Sequence, residues 1–323
     1  MPDLVTGATG FTGGHLLRRL VGEGGSVRAF VRRPEALHPG AADIAVGDVR
    51  DARACNDAAR GVDTVYHLAA SYREAGIGAA AHSAINLQGT VNLFSAAHTA
   101  GVRRFVFCST VGVHGEIRGR AADEDAPFAP ADPYQASKCE AEKYLRAQEP
   151  ASAMEIVIVR PSGIYGPGDM RLLKFFRLIA RGRSLMIGTG LPRYHLTHID
   201  DLVEGILKCG RLSAAAGETF ILAGPEAPTL NEWAAVVAEV LGASPPRVHI
   251  PVWPFLAAAS VVERVCLPLG LTPPIFRRRM DFFTKNREFS IEKARRVLGF
   301  EPRIGVREGM AMTAQWYRSH GLV

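Results

Sequence analysis

A chain of 323 residues with 47% apolar content can bury a sizeable core, and its 33 glycines and 20 prolines lie near ordinary usage, which excludes disordered and fibrous classes. The net charge of +6 raises nucleic acid as a partner, but the cations are dispersed. The one dense cluster, Arg277-Arg278-Arg279 with Lys285 and Arg287 behind it, comes with no zinc-finger or RNA-binding signature, so no nucleic acid partner is expected.

Short apolar runs alternate with amphipathic helical stretches through the first half: Leu4-Val5, Val27 to Val31, Ile44 to Val46, Thr64 to Leu68, Phe105 to Cys108 and Ile156 to Val159. Between them, His15–Val21, Asn86–Ala100 and Tyr134–Gln148 carry apolar residues at spacings of three and four. That alternation predicts an α/β fold, a Rossmann doubly wound parallel sheet with a smaller, mostly helical C-terminal substrate lobe. The first strand begins by Asp3, leaving no room for a secretory leader, so a cytoplasmic protein is expected. After Arg160-Pro161 the alternation fails, and Gly- and Pro-rich segments such as Tyr165-Gly166-Pro167-Gly168 and Gly188-Thr189-Gly190-Leu191-Pro192 read as loops. The run Thr219 to Leu222 is expected to return to the sheet. The expected division is therefore a dinucleotide-binding domain over 1–165, rejoined by 196–223, and a substrate lobe over 166–195 and 224–323. The longest apolar stretch, Ile250 to Val262, is about 13 residues against roughly 20 needed to span a bilayer. It reads as a buried helix lining an apolar pocket, with peripheral membrane contact as the alternative. Five scattered cysteines without CxxC spacing predict reduced thiols and no metal site.

Leu4-Val5-Thr6-Gly7-Ala8-Thr9-Gly10-Phe11-Thr12-Gly13 ends a strand and opens a helix with three glycines at three-residue intervals. Glycine is demanded there by a tight turn, by close approach of backbone amides to a pyrophosphate, and by helix packing. At the end of the next strand, where a carboxylate would hold the ribose of NAD, stand Arg32 and Arg33. Cations there suit the 2′-phosphate of NADP, so NADP is the expected cofactor, with NAD as the alternative. Asp48 and Val49, after Gly47, are placed to meet the adenine, and Leu68, Ala69 and Ala70 end the fourth strand with small residues against the cofactor.

Tyr134 and Lys138 stand at i and i+4 on one helix face. A phenol is a poor base at neutral pH, so a neighbouring cation is what proton exchange with an alcohol or ketone requires. Ser109 and Thr110 put two hydroxyls at the end of the strand that precedes this helix, where a substrate oxygen could be held.

These motifs, with Asn86 before Gly89-Thr90, Arg160-Pro161 before Tyr165-Gly166-Pro167-Gly168, and His198-Ile199-Asp200-Asp201, resemble an extended short-chain dehydrogenase/reductase of the NAD-dependent epimerase/dehydratase superfamily, nearly end to end. The resemblance implies that Tyr134 is the acid/base, that Lys138 lowers its pKa and holds the nicotinamide ribose, that Thr110 orients the substrate oxygen, that Asn86 supports the active-site helix and that Pro161 lies against the cofactor. It also implies a homodimer through the Asn86 and Tyr134 helices. Nucleotide-sugar epimerases carry an Arg-Asp pair where this chain has Tyr194 and His195, with Arg193 one position earlier, so the diphosphate cation would have to come from Arg193 or from Arg277 to Arg279. The tail from Arg279 through Phe289-Ser290-Ile291 to Trp316 resembles 3β-hydroxysteroid dehydrogenases and dihydroflavonol-reductase-like enzymes. The expectation is reversible alcohol/ketone oxidoreduction on a bulky small-molecule substrate. The alternatives are a nucleotide-sugar 4-epimerase or dehydratase with tightly held NAD, and a cofactor-sensing regulator on a disabled scaffold, against which the intact Tyr134/Lys138 pair argues.

Overall fold

The computed structural model describes residues 1–37, 43–72, 78–183, 185–266 and 277–323. The side chains of Arg277, Arg278 and Arg279 lie outside what is described.

Strand β1 (Asp3–Thr6) runs through the glycine loop into α1 (Phe11–Gly22), whose Leu16, Leu17 and Leu20 turn one face inward. Strands β2 (Val27–Val31) and β3 (Asp43–Val46) lead to α2 (Ala52–Ala59), started by Asp51, whose carboxylate accepts from the amides of Arg53 and Ala54. After β4 (Thr64–His67), the helix α3 (Ala79–His82), a π-helical turn at Ser83–Gln88 and α4 (Gly89–Thr99) run on without a break. Strand β5 (Arg104–Cys108) ends in a short 3-10 turn, Val111–His114. Helix α5 (Pro133–Gln148) is capped by Asp132 accepting from Gln135 N, with Pro133 in its first turn, where no backbone N–H is needed.

Then come β6 (Glu155–Pro161), β7 (Gly163–Tyr165), α6 (Leu173–Ala180), β8 (Met186–Ile187), β9 (Leu196–His198), α7 (Ile199–Arg211) and β10 (Thr219–Leu222). The chain closes with α8 (Leu230–Leu241), β11 (His249–Ile250), α9 (Trp253–Cys266), α10 (Arg277–Thr284), α11 (Glu292–Leu298) and α12 (Val306–Ser319).

Seven strands form one sheet in the order β10-β6-β5-β4-β1-β2-β3, every neighbouring pair parallel. This is a Rossmann-like α/β fold. The order reverses between β1 and β4, and at such a switch point the strand ends leave a crevice for a ligand. Helices α1, α7 and α11 cover one face around Leu16, Leu202, Ile206 and Leu298; α2, α4 and α5 cover the other around Ala58, Leu93, Phe94 and Leu145. A third core, built on Phe176, Trp233, Val237, Met310 and Tyr317, belongs to the C-terminal lobe.

Three regions differ from the sequence reading. Tyr165, read as the start of a loop, ends the strand Gly163–Tyr165, which pairs in parallel with β9, and Met186–Ile187 pairs with β11. The tail does not lie wholly in the lobe, because Phe289, Ile291, Ala294, Leu298 and Phe300 pack into the sheet's own core. The apolar run from Ile250 is not buried all round. In α9, Ala259 is fully buried, but Trp253 is 71% and Val261 61% exposed. No helix of the described residues is long and apolar enough to cross a membrane.

Candidate active site

The glycine loop sits in the crevice between β1 and β4. Gly7 has φ +70°, and a Cβ on it would lie 2.8 Å from Ala69 N; a Cβ on Gly13 would lie 2.2 Å from Gly7 O. Both positions therefore admit only glycine without backbone movement. Thr9 and Gly10 are exposed, and no side chain caps the amides at the start of α1, where Phe11 and Thr12 stand half-buried. A glycine cradle opening on uncapped helix amides fits the pyrophosphate of a dinucleotide, both by room and by charge.

The strand ends are locked behind it. Thr6 Oγ1 accepts from the amides of Leu68 and Ala69 at 3.1 and 3.0 Å, so its own proton goes to His67 Nδ1, 2.8 Å away. The His67 proton then stands on Nε2 and is donated to Thr90 Oγ1 at 3.0 Å, which donates to Asn86 O at 2.6 Å. Burial, and secondarily the charge of Lys138, pull His67 down to about 3, which keeps the ring neutral, as this chain of donors requires.

That chain ends on Asn86, in the π-helical turn, and π turns recur where a helix must aim a functional side chain. Asn86 Nδ2 donates to Ser137 Oγ at 2.9 Å and to Ser71 O at 3.3 Å, while its Oδ1 accepts from Ser71 N at 2.9 Å. Ser137 Oγ in turn donates to Tyr134 O at 2.8 Å. Asn86 thus grips the first turn of α5, the turn that carries Tyr134.

Tyr134 is half-buried, edge-on to Tyr72 at 4.9 Å between ring centroids, with His82 at 6.2 Å. Burial pushes its phenol up, Tyr72, Cys108 and Asp132 add to the rise, and Arg171 opposes it. Lys138 is buried; its ammonium donates to Cys108 O at 2.7 Å and lies 4.5 Å from the centre of the Phe107 ring. Burial pulls it down to about 8, against Cys108 and Glu142. The two side chains share a helix face as their spacing predicts, with the ammonium turned to the β5 backbone.

The strand-end hydroxyls part company. Thr110 is half-buried and caps the 3-10 turn, its Oγ1 accepting from Gly112 N at 3.0 Å. Ser109 is buried and donates its hydroxyl to Glu142, so it faces the interior rather than the cleft. Arg32 and Arg33 are exposed just past β2, and Val49 is buried. Asp48, expected to face the adenine, is clasped by Arg50, with Nε and Nη2 at 3.0 and 2.8 Å, and Arg50 lowers the carboxyl first among its neighbours. Leu68, Ala69 and Ala70 line the end of β4 half-buried, and Pro161 closes β6, buried.

Sequence reasoning missed Arg50 and Arg171. Arg171 pairs with Asp169 through Nε and Nη2 at 2.7 and 3.0 Å, donates to Ile164 O, and lies 5.6 Å from the Phe11 ring centre. It links the dinucleotide loop to the side of Tyr134. Asp169 and Arg171, two apart after Gly168, were the only signal. Arg193, offered as a diphosphate cation, donates to Ala227 O at 2.7 Å and lies 3.8 Å from Glu288. Tyr194 stacks on Trp233 at 5.9 Å, and buried His195 bonds Gly224 O at 2.8 Å, so both are spent on packing. Asp201 likewise accepts from Arg303 N and Ile304 N and anchors the tail.

Comparison with known proteins places this geometry. Residues 4–223 match a family described as the NAD dependent epimerase/dehydratase family. The chain is 32% identical to a 3 beta-hydroxysteroid dehydrogenase/Delta 5-->4-isomerase of Mycobacterium tuberculosis, over 98% of this chain and 90% of that protein. It is 31% identical to sterol demethylase protein B of Methylococcus capsulatus, over the whole of both. The crystal structure of a dTDP-glucose 4,6-dehydratase of Streptomyces venezuelae, solved with NAD bound, is 27% identical, with a TM-score of 0.80 over 99% of this chain and 97% of that one.

Proposed function

The chain belongs to the NAD dependent epimerase/dehydratase family, and from that premise we propose that it interconverts an alcohol and a ketone on a bulky apolar substrate, exchanging NADP(H) at each turnover. The observation that carries this reading is that the glycine loop after β1 and the Thr110 turn after β5 leave the carboxyl ends of parallel strands in one sheet, with Tyr134 on the following α5 edge-on to Tyr72, just beyond β4.

A bound nicotinamide would accept or deliver the hydride. The chain's own residues handle the proton and the substrate oxygen. Tyr134 holds its proton in the resting protein, because burial disfavours the phenolate, so it is set to donate to a carbonyl. In the alcohol direction the phenol must lose that proton; Arg171 favours its loss, whereas Lys138, expected to do so, has its ammonium bonded to Cys108 O and would act on the phenol only by turning toward the cleft. Thr110 supplies the second hydroxyl toward the substrate oxygen. Gly7, Gly10 and Gly13 would let the backbone approach the pyrophosphate, and Arg32, Arg33 and Arg50 would surround a 2′-phosphate.

A bulky apolar substrate is supported by the lobe. Tyr72 stands against Tyr134; Tyr194 packs on Phe282, and Phe282 on Phe283, which borders an apolar groove with Pro192, Ile250 and Val252. The positions where an epimerase's diphosphate arginine is expected are the packed Tyr194 and His195. Both curated relatives described above carry steroid or sterol in their names. Two copies would associate through α4 and α5. The test is a panel of hydrophobic ketones incubated with deuterated NADPH. The reading expects deuterium on the product carbinol carbon and oxidised cofactor in equal amount; a nucleotide sugar converted without net cofactor oxidation would replace it with the epimerase or dehydratase reading.

A further inference from the structure

Behind the proton-transfer pair lies a buried ionic network that the chemistry so far has not used. Glu142 follows Tyr134 and Lys138 at the next i+4 step along α5 and is 1% exposed; Arg160, on β6, is 5% exposed. Arg160 donates to Glu142 through Nε at 3.1 Å and Nη2 at 2.7 Å, while its Nη1 reaches Glu124 O at 2.7 Å and lies 3.1 Å from His114 Nε2. Glu142 also accepts the hydroxyl of Ser109. Ser109 is further tied to β6 by its amide, which donates to Val159 O at 2.7 Å. The Phe128 ring closes over the pair, 5.2 Å from the Arg160 guanidinium.

An ion pair this deep is a poor device for stability alone, since desolvating two charges offsets most of their attraction. Its geometry offers something else: it joins the end of β5, the 3-10 turn, α5 and β6 at one point. We propose that the Glu142–Arg160 pair is the positioning device of the proton-transfer site, holding Thr110 through Ser109 and Lys138 through α5. Both are positioning residues, and neither faces the cleft. Without the pair, the register of α5 against β5 would rest on the long, flexible Lys138 side chain at Cys108 O and on the apolar contacts of Ala141 and Leu145, which tolerate small slips. Ser109 adds a directional bond one residue before Thr110, so a shift of Glu142 is passed to Thr110 directly.

The same arrangement sets a charge. Lys138 is faced from β5 by the Cys108 carbonyl and thiol and by the Phe107 ring, from β4 by His67, and from α5 by Glu142. Glu142 is faced by Ser109 from the end of β5 and by Arg160 from β6, with His114 behind Arg160 and Cys139 on its own helix. Since Glu142 favours the ammonium, removing its charge moves Lys138 to lower pKa, and the loss of rate as pH rises through that pKa begins earlier.

The inference rests on the proposed role of Tyr134, so Tyr134→Phe is run beside it in steady-state kinetics on one accepted ketone across pH. Glu142→Gln should lower kcat by about 10-fold or more with KM nearly unchanged, and move the alkaline limb to lower pH. Ser109→Ala, which leaves the ion pair whole, should lower kcat to a smaller extent without moving that limb. A folded Glu142→Gln protein with kcat within about 2-fold of the parent and the same alkaline limb overturns the proposal. If Glu142→Gln does not fold, Ser109→Ala decides, and an unchanged kcat there overturns it. A fully active Tyr134→Phe protein instead removes the reading on which the inference stands.

Discussion

The Rossmann half and the C-terminal lobe are built by different means. In the first, backbone does the work: glycines at 7 and 13 let main chain approach main chain, and a hydrogen-bond chain from Thr6 through His67 and Thr90 ends on Asn86. In the second, side chains do it: Tyr194, Trp233, Phe282 and Phe283 pack against one another in an aromatic core that tolerates exchange. Backbone approach is specific to one ligand shape, whereas an aromatic wall is specific only to size and polarity. The cofactor class is therefore far better defined than the substrate.

The chemical centre carries the largest expected effect. Replacing Tyr134 by Phe removes only the proton path, so kcat should fall by about 10²–10⁴-fold while NADPH affinity, followed by cofactor fluorescence, stays within about 2-fold. Next in size is the cradle. Gly7→Ala puts a Cβ 2.8 Å from Ala69 N at φ +70°, so denaturant unfolding should show a loss of about 1–3 kcal/mol, with weaker dinucleotide binding. Smaller again is the adenosine end. Arg32→Asp should shift the ratio of NADPH to NADH affinity by about 10-fold toward NADH, and an unchanged ratio would assign the 2′-phosphate to Arg33 or Arg50 instead.

The same contrast governs how much could be read from the sequence. The seven strands of a parallel sheet follow from short apolar runs, plainest in β1, β4 and β6, which are buried on both faces, and weakest in β3, which is largely exposed at the sheet edge. Helix α2 escaped because Ala-Arg-Ala-Cys-Asn-Asp-Ala-Ala has too few large apolar residues to show a period, although Asp51 caps it. In the site, motif residues with fixed spacing were legible: Gly7, Gly13, Asn86, Tyr134 and Lys138. What spacing does not carry is direction. Ser109 and Thr110 are adjacent and chemically alike, yet one turns to Glu142 and the other caps the 3-10 turn, since successive residues at a strand end point to opposite sides. The partners of Arg160 and Glu142 lie in other segments of the chain, which spacing does not announce, while Arg171 bonds locally to Asp169 and Ile164 and crosses the fold in its approach to Phe11.

The claim that joins these parts is that the chain exchanges its dinucleotide with solution and performs net oxidoreduction. The most direct measurement is mass spectrometry of the small molecules released on denaturing the freshly purified protein, followed by NADPH and NADH titration of the native protein. The account predicts a substoichiometric or absent dinucleotide and saturable binding of added NADPH; one equivalent of retained NAD that does not exchange would contradict it.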